Sequence, residues 1–255
     1  MITSTSNPLV KQVAGLQARA KARQESGMFV VEGTKMVREL PESQKIRVFA
    51  SESYLKNQKN QKFAAEVGAE PIPDIVFRRM SDTESPQGIL ALAIQKKRRL
   101  EELLGDRPVL VLERLQDPGN LGTILRTGEA AGVGGILADP ETVDVYNPKV
   151  VRATMGAIYR IPYLVAENLQ DAIKTLKKRG FRVFAAHLAG TRDYDQEDYR
   201  QPSAFLIGNE GRGLTEETAS LADTYIRIPM EGQVESLNAA VAASILLYEA
   251  YRQRR

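Results

Sequence analysis

The sequence has no cysteine and no tryptophan, and a single histidine, His187. Without cysteine there is no disulfide, no Cys-ligated zinc, no iron–sulfur cluster and no thiol nucleophile; one histidine excludes a two-histidine metal site. No stretch approaches the roughly 18–20 apolar residues of a membrane helix. The start, MITSTSNPLVKQ, lacks the long apolar run of a secretory signal. These absences lead us to expect a cytoplasmic protein with no membrane partner and no metal. What is present is globular: 255 residues, 43% hydrophobic and 26% charged, enough for one large domain or two modest ones.

Charge of one sign is also scarce, since 35 Lys+Arg stand against 32 Asp+Glu, a formal net charge of +3. The distribution is uneven. Before Pro108 there are 18 Lys+Arg against 13 Asp+Glu, and from Pro108 onward 17 against 19. The basic segments are Lys11 to Arg23, Lys56 to Lys62 and Lys96 to Arg99. Such a front third suits contacts with phosphates, whose neutralisation releases counterions. Ordinary solvated helix faces give the same pattern.

Residues 7–25 read as an amphipathic helix ending at Gly27, MFVVEG as a strand, TKMVREL as a helix and KIRVFAS as a strand. A polar helix over 54–67, a strand region in PIPDIVF and a strand in GILALAIQ complete an α/β unit. We divide the chain into a domain of residues 1–98, a charged linker 99–107 and a domain 108–255. In the second domain, short apolar runs (PVLVLE, GGILAD, IPYLVA, FRVFAAHL, SAFLIG, TYIRIPM) alternate with helical segments. That alternation predicts a parallel sheet covered on both faces. Asn120 reads as the N-cap of a helix stopped by Gly132, and Asn168 as the cap of one ending at Gly180. An Ala-rich helix closes the chain.

Three segments carry more glycine and polar residues than packing needs: DPGNLGTILRTGEAAG (117–132), LIGNEGRGL (206–214) and IPMEGQVESLNAA (228–240). The middle one is neither G-x-G-x-x-G nor G-x-x-x-x-G-K-[ST], which argues against a nicotinamide dehydrogenase or a triphosphate hydrolase. Three such loops at strand ends suit a ligand held largely by backbone groups, although each alone is also a plausible tight turn.

Together, N-x-G-x-x-x-R (Asn120, Gly122, Arg126), L-I-G-N-E-G-R-G-L and I-P-M-x-G-x-x-E-S-L-N, in this order and spacing, resemble the SpoU (TrmH-type) RNA ribose 2′-O-methyltransferases of the SPOUT superfamily. At the front, SNPLVK, FVVEG and SPQGILAL are similar to the small ribosomal-protein-L30e-like substrate domain of the ribosomal-RNA members. The resemblance implies an α/β catalytic domain with a deep trefoil knot that binds S-adenosylmethionine, working as a homodimer on RNA. It favours 23S ribosomal RNA as substrate. Transfer RNA is the alternative, and a non-catalytic RNA-binding or ribosome-assembly protein is a third reading.

By that likeness Gly208, Ile228 and Leu237 line the cofactor site, with Gly208 leaving room for close approach of the ligand. For the side chains of Ile228 and Leu237 plain core packing is the preferred reading, compatible with ligand contacts made by their backbone. The resemblance makes Arg126 the catalytic residue, either activating the 2′-hydroxyl or gripping the adjacent phosphate and stabilising developing alkoxide charge. A guanidinium is normally always protonated, which favours the second role. Asn120 and Asn238 orient Arg126 or the ribose, Ser236 bonds the substrate or the arginine, and Glu210 fixes loops. A bare helix cap for Asn120 and a surface charge for Glu210 are the bland alternatives. His187, at a strand end, is read as a structural or ligand-wall residue rather than as a base. Arg152 is a candidate phosphate contact in a segment that equally suits a helix packed on the sheet. Tyr54, Phe63 and Phe77 are candidates for stacking on bases, with core packing preferred for Phe77.

Overall fold

The computed structural model describes residues 2–188 and 190–255. The chain forms two units, one of residues up to Lys96 together with Asp144–Tyr159, the other of Lys97–Val143 with Arg160–Arg255. The segment Asp144–Tyr159 lies within the stretch that the sequence assigns to the second domain, yet it packs with the first unit.

In the first unit, β1 (Met28–Glu32), β2 (Lys45–Ser51), β3 (Glu70–Ile72) and β4 (Ile89–Ile94) form a sheet in the order β1-β4-β2-β3. β4 is antiparallel to both β1 and β2, and β3 runs parallel to β2. Alternate residues feed two cores. Phe29, Val31, Val48 and Ala91 meet Met36, Val37, Phe63, Val151 and Tyr159 on one face. Val30, Phe49, Leu90 and Leu92 meet Val10, Val13, Leu16, Val76, Phe77 and Met80 on the other. The sheet is thus covered on both sides, which explains strands that are apolar throughout.

Tyr54, Phe63 and Phe77 are all buried in these cores, so the expectation that the first two stack on bases is corrected. The Tyr54 hydroxyl is instead hydrogen-bonded to Thr34 Oγ1 at 2.9 Å. Arg152 sits on helix Pro148–Ala153, whose Val150 and Val151 are buried, and its guanidinium pairs with Asp82 at 3.1 Å. The helix expected over 7–25 is broken in two, Pro8–Ala18 and Ala20–Ser26, by extended backbone at Arg19. The polar helix likewise splits at Asn57, whose side chain caps Gln58–Glu66. PIPDIVF yields only the short β3 before helix Asp74–Met80 starts after Pro73, where the fixed φ of proline suits a helix entry.

In the second unit, β5 (Val109–Leu112), β6 (Gly135–Ala138), β7 (Tyr163–Val165), β8 (Arg182–Ala186), β9 (Arg192–Asp193), β10 (Ser203–Ile207) and β11 (Thr224–Arg227) form one sheet. The order is β7-β6-β5-β10-β8-β11-β9 and every pairing is parallel. One face is covered by helix Leu169–Lys178 through Leu169, Ala172, Ile173 and Leu176. Helix Ala239–Arg254 packs against β10 and against helix Pro118–Ala131. Alanine at 239, 240, 243 and 250 lets those two helices approach closely. The chain leaves β5 toward β6 and β7 and later returns to place β10 on the opposite side of β5. The crevice beyond the carboxyl ends of β5 and β10 is therefore the topological switch point, where such sheets bind ligands.

Candidate active site

Helix Pro118–Ala131 starts three residues earlier than the sequence suggests. Its N-cap is Asp117, whose carboxylate accepts from the Asn120 N–H at 2.7 Å, with Pro118 in the first turn. The reading of Asn120 as the cap is therefore corrected; the residue stands one turn inside the helix, which frees its side chain. Gly132 ends the helix in the left-handed conformation at φ 73°.

The freed Asn120 side chain joins two other loops. Its Nδ2 donates to Glu210 Oε1 at 3.0 Å, and its Oδ1 accepts from Asn238 Nδ2 at 2.8 Å. Glu210 also accepts from the backbone N–H groups of Asp117 at 3.1 Å and Gln116 at 3.2 Å. Asn238 caps helix Ala239–Arg254, accepting from Ala240 N at 2.9 Å and Val241 N at 3.2 Å. The three glycine-rich segments are thus wired together by one chain of hydrogen bonds. Partial burial pushes the Glu210 carboxyl up, but the Asn120 amide and the backbone N–H groups outweigh it and hold the pKa below the ordinary glutamate value.

Gly208 follows β10 directly. A Cβ there would lie 2.2 Å from both Gly213 C and Leu214 N. The expectation that Gly208 leaves room for a ligand is corrected in this respect: the space is filled by the chain's own backbone as the loop doubles back. Asn209 and Gly213 exchange backbone hydrogen bonds at 3.0 and 2.9 Å, and Asn209 Oδ1 accepts from Gly211 N and Arg212 N. Asn209 Nδ2 reaches the Arg114 carbonyl at 2.8 Å, tying this loop to the end of β5.

Ile228 follows β11 and Leu237 precedes the Asn238 cap; both are half-buried, and Ser236 is exposed. Residues 229–237 make no hydrogen bond among the described residues, through backbone or side chain. A run of unbonded backbone donors and acceptors, pinned at one end to the Asn120 and Glu210 chain, fits a ligand recognised by main-chain groups.

Arg126 is exposed, and its side chain has no hydrogen bond or ion pair among the described residues. Six residues after Asn120 it lies about 120° around the helix and roughly 9 Å along it. Asn120 is hydrogen-bonded to Glu210 and to Asn238, and the structure does not bring Arg126 to them. The His187 backbone N–H donates to the Ile226 carbonyl at 2.9 Å, and its ring stacks on Tyr225 with centroids 5.3 Å apart.

One residue escaped the sequence reading. Glu113, buried at the end of β5, accepts from Thr215 N at 2.7 Å, from Thr215 Oγ1 at 2.8 Å and from the Thr218 hydroxyl. It fixes the chain just beyond the 208–214 loop. An acid closing the apolar run PVLVLE was the available signal, because a buried carboxylate needs several donors. Among the described residues there is no cluster of metal-ligating side chains, and no helix is long and apolar enough to cross a membrane.

Residues 107–248 match the SpoU rRNA Methylase family, and residues 7–91 match the MRM3-like substrate binding domain. The chain is 34% identical over 258 residues to an uncharacterized tRNA/rRNA methyltransferase of Synechocystis, covering 99% of this chain and 94% of that one. It is 33% identical over 249 residues to the Bacillus subtilis 23S rRNA (guanosine(2553)-2′-O)-methyltransferase RlmP, covering 97% of each. An AdoMet-bound rRNA methyltransferase structure from Sinorhizobium meliloti matches with TM-score 0.86 and 35% identity, over 98% of this chain and 97% of that one. The wired loops at the switch point of a parallel sheet and these likenesses agree: the chain belongs to the SpoU rRNA methylase family.

Proposed function

We propose that the protein is an S-adenosylmethionine-dependent methyltransferase acting on a ribose 2′-hydroxyl of RNA, with 23S ribosomal RNA as its substrate. The observation that carries the reading is the Glu210–Asn120–Asn238 chain, which gathers three motif loops at the switch point of the sheet. The substrate class is supported by the relatives named above and by the front domain, which we assign to residues 1–98 as the RNA-delivering part. Residues 108–255 carry the chemistry.

When bound, S-adenosylmethionine supplies a methyl group already activated by its sulfonium. Passing that methyl to the ribose oxygen would leave a neutral thioether on the cofactor, and the proton of the 2′-hydroxyl would go to solvent water. The chain's own task is then placement, and alignment alone can contribute roughly 7–11 kcal/mol to the rate. Gly208, Ile228 and Leu237 line the cofactor site, with the unbonded main chain of 229–237 reading its polar groups. Glu210 fixes the loops, Asn120 and Asn238 hold their spacing, and Ser236 faces the substrate. Arg126 grips the phosphate beside the reacting ribose and stabilises the alkoxide as it forms.

Arg126 lies on a different side of its helix from Asn120, so a complete site in this reading draws on a second copy, and we include a homodimer in it. The family's trefoil knot is part of the same reading. It is supported at Gly208 and at Gly190, where a Cβ would lie 2.7 Å from Ile226 C: at both places chain segments pass with no room for a side chain. Catalysis takes place in the cytoplasm, where the substrate is made.

The test is transfer of labelled methyl from S-adenosylmethionine to unmodified bacterial RNA, separated into ribosomal and transfer pools, with the product identified by mass spectrometry. A 2′-O-methylribose in the 23S fraction is expected. Label in transfer RNA overturns the substrate, and cofactor binding without label in either pool or in ribosomal particles overturns the enzymatic reading.

A further inference from the structure

Several cations of the first unit are held in ion pairs, Lys21 with Glu25 among them. Lys35 meets Glu39, Lys45 meets Glu42, Arg47 meets Glu70, Arg152 meets Asp82, and buried Arg23 meets Asp144. Three arginines without such a partner are gathered on or beside two helices that pack on each other. Arg19, Arg78 and Arg79 are exposed, and their guanidiniums have no ion pair or hydrogen bond among the described residues. Helix Pro8–Ala18, which packs on helix Asp74–Met80, contains no acidic residue. The only acid of the second helix, Asp74, is occupied by the Ser53 N–H at 2.9 Å and the Ser53 hydroxyl at 2.8 Å.

The C-terminal ends of the two helices are pinned together by Gln17 Nε2 donating to the Met80 carbonyl at 3.3 Å. Arg19 lies just past one end, and Arg78 and Arg79 just before the other. Ile75, Arg78 and Arg79 stand at i, i+3 and i+4 and therefore share one helix face. Ile75 is 70% exposed, more than any other large apolar side chain described. Cations near helix C-termini are favoured by the helix dipole, by about 0.3–1 kcal/mol. That accounts for arginine in the last turn but not for a bare isoleucine beside it.

We propose that this face, Ile75 with Arg78 and Arg79 on one helix and Arg19 at the end of the next, is the surface on which the first unit docks RNA. The inference rests on the function proposed above and names the substrate-gripping residues of the front unit. Guanidiniums without a carboxylate partner are free to take phosphate oxygens bidentately. An apolar side chain one turn before Arg78 and Arg79 on the same face suits ribose or base surface, where charge alone would suit only the backbone.

The experiment measures binding of the whole protein to unmodified 23S rRNA, transcribed in vitro, across a salt series. Each neutralised phosphate contributes a slope of about −0.7 to −0.9 in log K against log salt. The pair Arg78→Ala/Arg79→Ala is expected to flatten the slope by roughly 1.4–1.8 and to weaken binding at least about tenfold. Ile75→Ala is expected to weaken binding about threefold with the slope unchanged, since no charge is removed. S-adenosylmethionine binding and melting temperature serve as the check that the fold is intact.

A slope unchanged in the arginine pair overturns the proposal, all the more so if Lys59→Ala/Lys62→Ala, on another basic helix, flattens it. Variants that bind free RNA normally but fail to methylate ribosomal particles assign the face to a protein partner and also overturn it. If the unaltered protein neither binds nor methylates RNA, the proposed function fails. If it does both and the variants match it, only the docking face fails.

Discussion

Asn238 donates its side-chain amide to the side-chain oxygen of Asn120 at 2.8 Å while its own oxygen caps the last helix. One residue therefore holds a helix end and a site residue at once, and the two jobs can be separated. Asn238→Asp keeps a good cap but cannot donate to Asn120. Unfolding by urea is expected to stay within about 0.5 kcal/mol of the parent, with methyl transfer falling at least about tenfold. Asn238→Ala is expected to lose the activity and about 1 kcal/mol of stability besides. Normal turnover in Asn238→Asp would show that the bond to Asn120 does not matter for catalysis.

Glu210 titrates below the ordinary value of 4.5 when folded: partial burial raises it, but the Asn120 amide and the backbone N–H groups of Glu210, Asp117 and Gln116 outweigh that. A depressed carboxylate pKa adds stability that is fully present above the unfolded value. It is lost as the pH falls through the folded one. The difference in stability between the parent and Glu210→Gln should therefore be larger at pH 7 than below the depressed pKa. Parallel stability profiles from pH 7 to strongly acidic conditions would sink this assignment.

At Gly208 the obstacle to a side chain is backbone, which cannot swing away. Gly208→Ala is expected to cost about 1–3 kcal/mol or more, as overpacked sites do, and to abolish S-adenosylmethionine binding by displacing Gly213 and Leu214. Denaturation and calorimetric titration read the two effects. A stable, cofactor-binding alanine variant would contradict the close approach.

The Arg126 side chain is exposed and makes no hydrogen bond or ion pair among the described residues. Arg126→Ala should leave unfolding within about 0.5 kcal/mol of the parent and leave cofactor binding intact, while methyl transfer disappears. Near-normal turnover removes Arg126 from the mechanism.

Arg23 is buried and its guanidinium bonds Asp144 Oδ2 and the Leu16 carbonyl, each at 2.6 Å. Removing one partner of a buried pair strands the other, at a cost of about 3–5 kcal/mol. Arg23→Ala should destabilise the protein by that order and speed proteolytic cleavage within 144–159. Adding Asp144→Ala should recover part of the loss, because no stranded charge is left; a double variant no more stable than the single one argues against the pair.

Much of the architecture was legible because its signals were local. Apolar runs such as PVLVLE and SAFLIG became parallel strands, and Asn168 with Gly180 bounded a helix. The break at Arg19 was not legible, since neither glycine nor proline marks it. PIPDIVF misled because Ile, Val and Phe suit a strand as well as a buried helix face, and only Pro73 told them apart. In DPGN two cappers compete, and the proline at 118 decides for Asp117. The site motifs could be named from sequence, but the partners of Glu113, Thr215 and Thr218, lie about a hundred residues away and only the fold brings them together. Tyr54 and Phe63 sit in polar stretches that gave no sign of burial.

The packing of Asp144–Tyr159 with the first unit also governs how the protein can be made. Phe29 has its ring 4.6 Å from that of Tyr146, and the Tyr159 hydroxyl closes on the Met36 carbonyl. As the chain emerges from the ribosome, the first unit therefore has all its strands long before it has its full core. It must wait, partly open, until residue 159 is free, by which time β5 and β6 of the second unit have already been synthesised. The two units mature in overlap, and cutting the gene at residue 97 would separate the first from a part of itself.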